Sequence, residues 1–250
     1  MSSSDTCTPE KGCEAATEVG QRRLVLAEFE RIGLYLGGAE AGAFVHYAAL
    51  LERWGRRVNL TAITGFPDVV HRHFLDSALV LSHVSPRPGD AVADVGSGAG
   101  FPGVPLAILR PDVRFSLFEA TAKKAAFLHA LVATLGLRNV AVETCRLEAA
   151  RVPPEWRGVF DGVVSRYTAP LTWLVRCARA LLRPVGWLVA HRFEGGADEA
   201  LLARLRSAGD VERAEWAADA RAVPRRCFAR VWFAPHGRLE PGGRGEYDLE

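Results

Sequence analysis

Between residues 94 and 103 the chain reads Asp94-Val95-Gly96-Ser97-Gly98-Ala99-Gly100-Phe101-Pro102-Gly103. Glycines at this density let a backbone turn tightly and let a ligand approach with no Cβ in the way. An acid stands downstream at Glu119. A carboxylate accepts two hydrogen bonds from a vicinal diol, so loop and acid together suit a ligand that carries a ribose. Gly98-x-Gly100-x-x-Gly103 matches the dinucleotide fingerprint, with Glu119 near the roughly 20-residue distance of its ribose acid. A turn that binds nothing is the plain alternative for such a Gly- and Ser-rich run.

These residues act together only if regular elements hold them. Residues 91–95 form a short apolar run into the glycines, which predicts a buried strand. A second strand over 114–118 ends at Glu119, and a short helix starts near Pro102. The next helix, 122–135, places Leu128, Leu131, Val132 and Leu135 on one face and stops at Gly136. Further strands are expected over 140–144, 160–165 and 185–190, with helices near 171–182 and 197–207 and a hairpin at 212–218 and 226–234. Strands alternating with helices predict a mostly parallel sheet covered on both faces. Before it lie three helical patterns. Val25, Phe29, Ile32 and Leu36 share one face, as do Phe44, Tyr47, Ala48, Leu51 and Trp54, and a helix is expected over 67–83. The expected organisation is a disordered tail over 1–17, a helical cap over 18–86, an α/β core over 87–234 and a flexible tail over 235–250.

Composition narrows the partners. The chain has 250 residues, 31 Lys+Arg against 29 Asp+Glu, and a net charge of +2. That excludes a uniformly basic nucleic-acid binder, so any such contact comes from a local patch. No window approaches the ~18 apolar residues of a membrane span. The first residues lack the basic start and apolar stretch of a secretory signal. Five cysteines are an odd number without framework spacing, and Cys7 and Cys13 lie far from a second ligand pair. The expectation is a reduced, cytoplasmic monomer without metal or membrane partner.

Further stretches carry a resemblance. Gly96-x-Gly98-x-Gly100 after Asp94 resembles the first motif of S-adenosylmethionine-dependent methyltransferases. Asn59-Leu60-Thr61-Ala62, Arg72-His73-Phe74-Leu75-Asp76-Ser77, Gly100 to Leu106, and Phe160 to Arg166 follow in a characteristic order and spacing. Over residues 20–233 the chain resembles the small-subunit ribosomal RNA methyltransferase G family, also called glucose-inhibited division protein B. The resemblance implies a Rossmann-like class I methyltransferase fold. It implies transfer of a methyl group from S-adenosyl-L-methionine to N7 of a guanine in the 530 loop of 16S rRNA, free or in the small ribosomal subunit. The cofactor contacts it implies are Gly96, Phe101, Glu119, Ala120, Thr121, Leu147, Glu148 and Arg166. N7 attack needs positioning, so no catalytic acid or base is expected. Other readings of the loop are a methyltransferase of another substrate, a nicotinamide oxidoreductase and a catalytically silent RNA-binding module.

Arg53, Arg56 and Arg57 surround Trp54, with Arg72 beyond them, and Arg221, Arg225, Arg226 and Arg230 cluster late. Arginines with an aromatic among them suit RNA backbone and bases. Arg56, Arg57, Arg72 and Tyr167 are the expected RNA contacts. The chain departs from the family at Tyr167, where a small residue is usual, and at His191-Arg192, where a Lys-Gly pair is usual. His191 is therefore a candidate partner for a base or phosphate.

Overall fold

The computed structural model describes residues 9–192, 196–207, 211–219 and 226–233. A seven-stranded sheet has the order β3-β2-β1-β4-β5-β7-β6. The strands are β1 Ala91–Val95, β2 Arg114–Glu119, β3 Val140–Thr144, β4 Phe160–Arg166, β5 Leu182–Arg192, β6 Val211–Asp219 and β7 Arg226–Phe233. Pairing is parallel from β3 through β5, and β7 runs antiparallel to both β5 and β6. Every residue of β1 is buried, as a strand covered on both faces requires.

The sheet separates two apolar cores. On one face Val92, Phe115, Leu117 and Val164 pack with the cap and with α5 Gly103–Leu109 and α6 Ala122–Leu135. On the other, Ala93, Val95, Phe118 and Val163 meet α7 Leu171–Leu181 and α8 Gly196–Ser207. The β3–β4 connection carries only the 3-10 turn Pro154–Trp156. A cleft therefore opens beside α7, between that connection and the strand ends. Gly136 ends α6 in the left-handed conformation, φ +63°, and Leu137 N–H closes onto Val132 O at 3.1 Å, as a C-terminal glycine allows.

The cap comprises α1 Pro9–Arg31, α2 Gly38–Gly55 and a composite helix. Phe29, Phe44 and Phe74 tie its three parts together, with ring centroids 4.9 and 4.8 Å apart in sequence. Two expectations need correction. The tail expected over 1–17 is helical from Pro9, since proline is pre-organised for a first helical position and Ala15-Ala16 favour continuation. Residues 1–8 and 234–250, including the expected C-terminal tail, lie outside the described residues, as do Cys7, Arg221 and Arg225. The helix expected over 67–83 is not uniform. It runs as α3 Phe66–Val69, a π segment Val70–Leu75, α4 Asp76–Ala78 and a 3-10 turn Leu79–Ser82. His73 within the π segment and Asp76 just after it are both buried.

Candidate active site

The glycine loop sits where an open α/β sheet places its ligands, at the carboxyl ends of the strands. Gly96 (φ +74°) turns the chain out of β1, and a Cβ there would run into the Thr168 side chain. Gly98 (φ +59°) donates its N–H to Glu119 Oε2 at 2.9 Å, and Thr121 N–H bonds Oε1 at 2.7 Å. Glu119 is thus held between the loop and the start of α6, with an acceptor site left on each oxygen. Asp94 is fully buried. Its Oδ2 accepts the Gly103 N–H at 2.9 Å while Oδ1 has no partner. Burial raises its pKa to about 7, although the Gly103 N–H opposes the shift.

The dinucleotide spacing does not survive this geometry. A Cβ on Gly100 would strike Tyr47 Oη and Val104, and one on Gly103 would strike Leu117 and Asp94. Both glycines serve packing of loop on helix, not approach of a ligand.

A cleft of about 1110 Å³ begins at Val95 and Gly96 and is lined further by Ala120, Cys145 and the 146–150 segment. Of the expected cofactor residues, Gly96, Ala120, Leu147 and Glu148 line it. Glu119 and Thr121 flank Ala120 in the chain and do not line the cleft themselves. These residues fit a nucleoside ligand: Gly96 and Ala120 on the cleft wall, and beside them the Glu119 carboxylate as a diol acceptor. Burial, then Glu143, raises the Cys145 pKa, so this thiol stays protonated near neutrality and is no ready nucleophile.

Phe101 and Arg166 lie apart from that lining, at the junction of core and cap. Phe101 is buried and stacks on Tyr47 at 5.3 Å and on His73 at 4.4 Å, with the Arg166 guanidinium 4.9 Å from its ring centre. The Arg166 fork, expected to serve a ligand, is engaged by the cap. Nη1 donates to Asp76 Oδ2 at 2.9 Å and to Arg72 O at 3.1 Å, and Nη2 donates to His73 Nδ1. Arginine has only donors, so His73 carries its proton on Nε2, which faces Thr61 Oγ1 at 2.8 Å. His191 is a correction. It is fully buried, its Nε2 lies 2.9 Å from Asp76 O, and burial lowers its pKa, so it braces the junction and meets no base. Arg192 is likewise internal, bonded to Asp198 and Ala169 O.

Tyr167 follows with φ +52°, a conformation that costs a non-glycine residue about 1–2 kcal/mol. It stands where β4 leaves the sheet. Arg56 pairs with Glu52 at 3.2 Å on an exposed surface, Arg57 and Arg72 are exposed, and Trp54 packs edge-on against Phe127 instead of standing free among the arginines. The sequence reading missed Thr168, which closes over Gly96, and Trp173 on α7, which lines the cleft. A spacing did mark the latter: Trp173 and Arg176 share a helical face at i, i+3.

Comparison with known proteins agrees with this geometry. The family model of rRNA small subunit methyltransferase G matches residues 40–213. A ribosomal RNA small subunit methyltransferase G from Roseiflexus sp. (strain RS-1) is 42% identical over 181 residues, covering 72% of this chain and 75% of that protein. One from Burkholderia lata is 35% identical over 199 residues, covering 80% and 86%. Among solved structures, a SAM dependent methyltransferase from Aquifex aeolicus superposes with a TM-score of 0.50 at 19% identity, over 67% of this chain and 94% of that one, a likeness of fold.

Proposed function

The chain belongs to the rRNA small subunit methyltransferase G family, and on that premise we propose that it transfers a methyl group from S-adenosylmethionine to N7 of a guanine in the 530 loop of 16S rRNA. The observation that carries the reading is the Glu119 carboxylate, held by the Gly98 N–H beside cleft-lining Gly96 at the ends of β1 and β2, in a chain matched over residues 40–213. The bound cofactor supplies an electrophilic methyl on a sulfonium centre. Gly96 admits its amino-acid end, Glu119 takes the ribose hydroxyls, and Leu147 and Glu148 flank the base. Ala120 and Thr121 complete the shell, while Phe101 and Arg166 hold the cap beside it.

Guanine N7 presents an in-plane lone pair and has no proton to lose. Its attack needs alignment and proximity, which a rigid cleft supplies without a general base. In this reading Arg72 and Tyr167 stand at the rim beside the target base, and Arg56 and Arg57 hold phosphates further out. The protein carries no helix among the described residues that is long and apolar enough to cross a membrane, which accords with a substrate in the cytoplasm. The test is to map N7-methylguanine in 16S rRNA from a deletion strain against wild type. Loss of one modification in the 530 loop, restored by the wild-type chain and not by Glu119→Ala, is expected. Identical maps in the two strains would overturn the proposal.

A further inference from the structure

The cleft is larger than its cofactor end. Small-ligand pockets measure roughly 300–1,000 Å³, and this one, at about 1110 Å³, continues past Leu147 and Glu148 along α7 and α8. That limb is lined by Trp173, Arg176 and Arg179 of α7 and Arg204 of α8, with Arg146 on the opposite wall. Four arginines face one acid, Glu148, among the described lining residues. The limb is thus locally basic in a chain whose net charge is only +2, with Arg179 itself engaged over the Phe233 ring.

The state of these side chains also matters. Some arginines are matched to acids, as Arg110 is to Asp112 and Arg192 to Asp198, and others, Arg57 among them, stand exposed with no ion pair among the described residues. Arg176 and Arg204 are exposed and form no ion pair among the described residues. Trp173 has one part packed on the core while the rest lines the cleft. A half-buried indole is a fixed platform with little entropy left to lose on stacking. An aromatic platform flanked by unpaired cations is the arrangement that holds single-stranded nucleic acid, bases on the ring and phosphates on the charges.

We infer that the α7–α8 limb of the cleft seats a single-stranded stretch of the RNA substrate beside the target nucleotide, with a base on Trp173 and phosphates on Arg176 and Arg204. The inference rests on the RNA methyltransferase reading above. It adds a second contact face, separate from the Arg56–Arg57 end of α2.

The experiment uses the full chain and a fluorescent 16S rRNA fragment containing the 530 loop. RNA affinity is titrated at several salt concentrations, and S-adenosylmethionine affinity is measured by calorimetry. For the double variant Arg176→Ala/Arg204→Ala the RNA Kd should rise about tenfold, and the log–log salt slope should fall by about 1.4, the release expected from two single-strand phosphates. Trp173→Leu should weaken RNA binding about tenfold and leave the salt slope alone. Cofactor affinity should stay within about twofold of wild type in both. The arginine variant changes exposed side chains only, and it decides the matter even if Trp173→Leu fails to fold. RNA affinity and salt slope equal to wild type would overturn the inference alone, provided wild type methylates the RNA. A parallel loss of cofactor affinity would also overturn it, because the limb would then belong to the cofactor site. A wild-type chain that binds S-adenosylmethionine yet neither binds nor methylates this RNA would overturn the functional reading and this inference together.

Discussion

The carboxyl ends of β1 to β3 border the cleft, those of β4 and β5 meet the cap, and the two sides are built differently. On the first side the working groups are backbone N–H groups and carboxylates on neighbouring strands. Glu119 bonds Gly98 and Thr121, and Asp94 bonds Gly103, all within about two dozen residues of chain. On the second side Arg166 and His191 reach across to Asp76 over 90 and 115 residues. On the first side Glu119 keeps an acceptor site on each oxygen next to the cleft residue Ala120. The second spends its charges on holding the cap. One half is thus arranged to bind a ligand and the other to keep the cap in place while binding happens.

The sharpest way to break this contrast is Asp76→Ala. It strands the Arg166 guanidinium, whose side chain is 11% exposed against 1% for Asp76. Removing one partner of a buried pair costs about 3–5 kcal/mol, and urea denaturation should show a loss of that size. A loss below about 1 kcal/mol, the range of a surface pair, would mean that the junction is solvated and the contrast false.

The buried carboxyl on the ligand side gives a pH signature of a few kcal/mol. Folded Asp94 keeps its proton up to about 7, whereas the unfolded group loses it near 3.8. Between those values the folded chain binds more protons. The contribution is therefore complete below about pH 4 and is lost as pH rises through about 7. Urea midpoints measured from pH 4 to 8 should fall with pH more steeply in wild type than in Asp94→Asn. Parallel profiles would place Asp94 in a wetter site.

Glu119→Ala should lower S-adenosylmethionine affinity by about 1.5–3 kcal/mol, the usual worth of hydrogen bonds to a charged group. Its effect on global stability should be smaller than that of Asp76→Ala. Calorimetry showing unchanged cofactor affinity would remove Glu119 from the site.

A smaller effect is expected at the turn between the two halves. Tyr167→Gly relieves the positive φ and should stabilise the fold by about 1 kcal/mol. If the ring stacks on the target guanine, the same variant should lose RNA affinity by about 1–3 kcal/mol. Gained stability with undiminished methylation would show a ring that fills space and contacts no base. The smallest change belongs to Arg56→Ala/Arg57→Ala. One of its two charges is already shared with Glu52, so RNA affinity should drop only a few-fold. A drop larger than that of the α7–α8 variant would reverse the ranking of the two faces.

By itself the sequence determined the ligand half. The succession of the central strands, the helix Ala122–Leu135 with its glycine stop, and the nearness of the glycine loop to Glu119 all follow from local rules: period, chain reversal and the short span between consecutive strand ends. The tertiary structure alone decided what Arg166 and His191 do. Each looked like a donor at a strand end, free for a ligand, because no local pattern announces a partner about a hundred residues away. The π segment Val70–Leu75 matters for the same reason. Uniform α periodicity over 67–83 sets His73 and Asp76 on one face at i, i+3, but it does not foretell that this face meets Arg166 of β4. The α7–α8 limb of the cleft is a further case. Trp173 and Arg176 share a helical face by spacing, yet whether that face meets solvent or a cleft depends on the β3–β4 connection, which carries no α-helix and leaves room beside it. Spacing along a chain settles which residues stand together on one element, and only packing between elements settles what those residues confront.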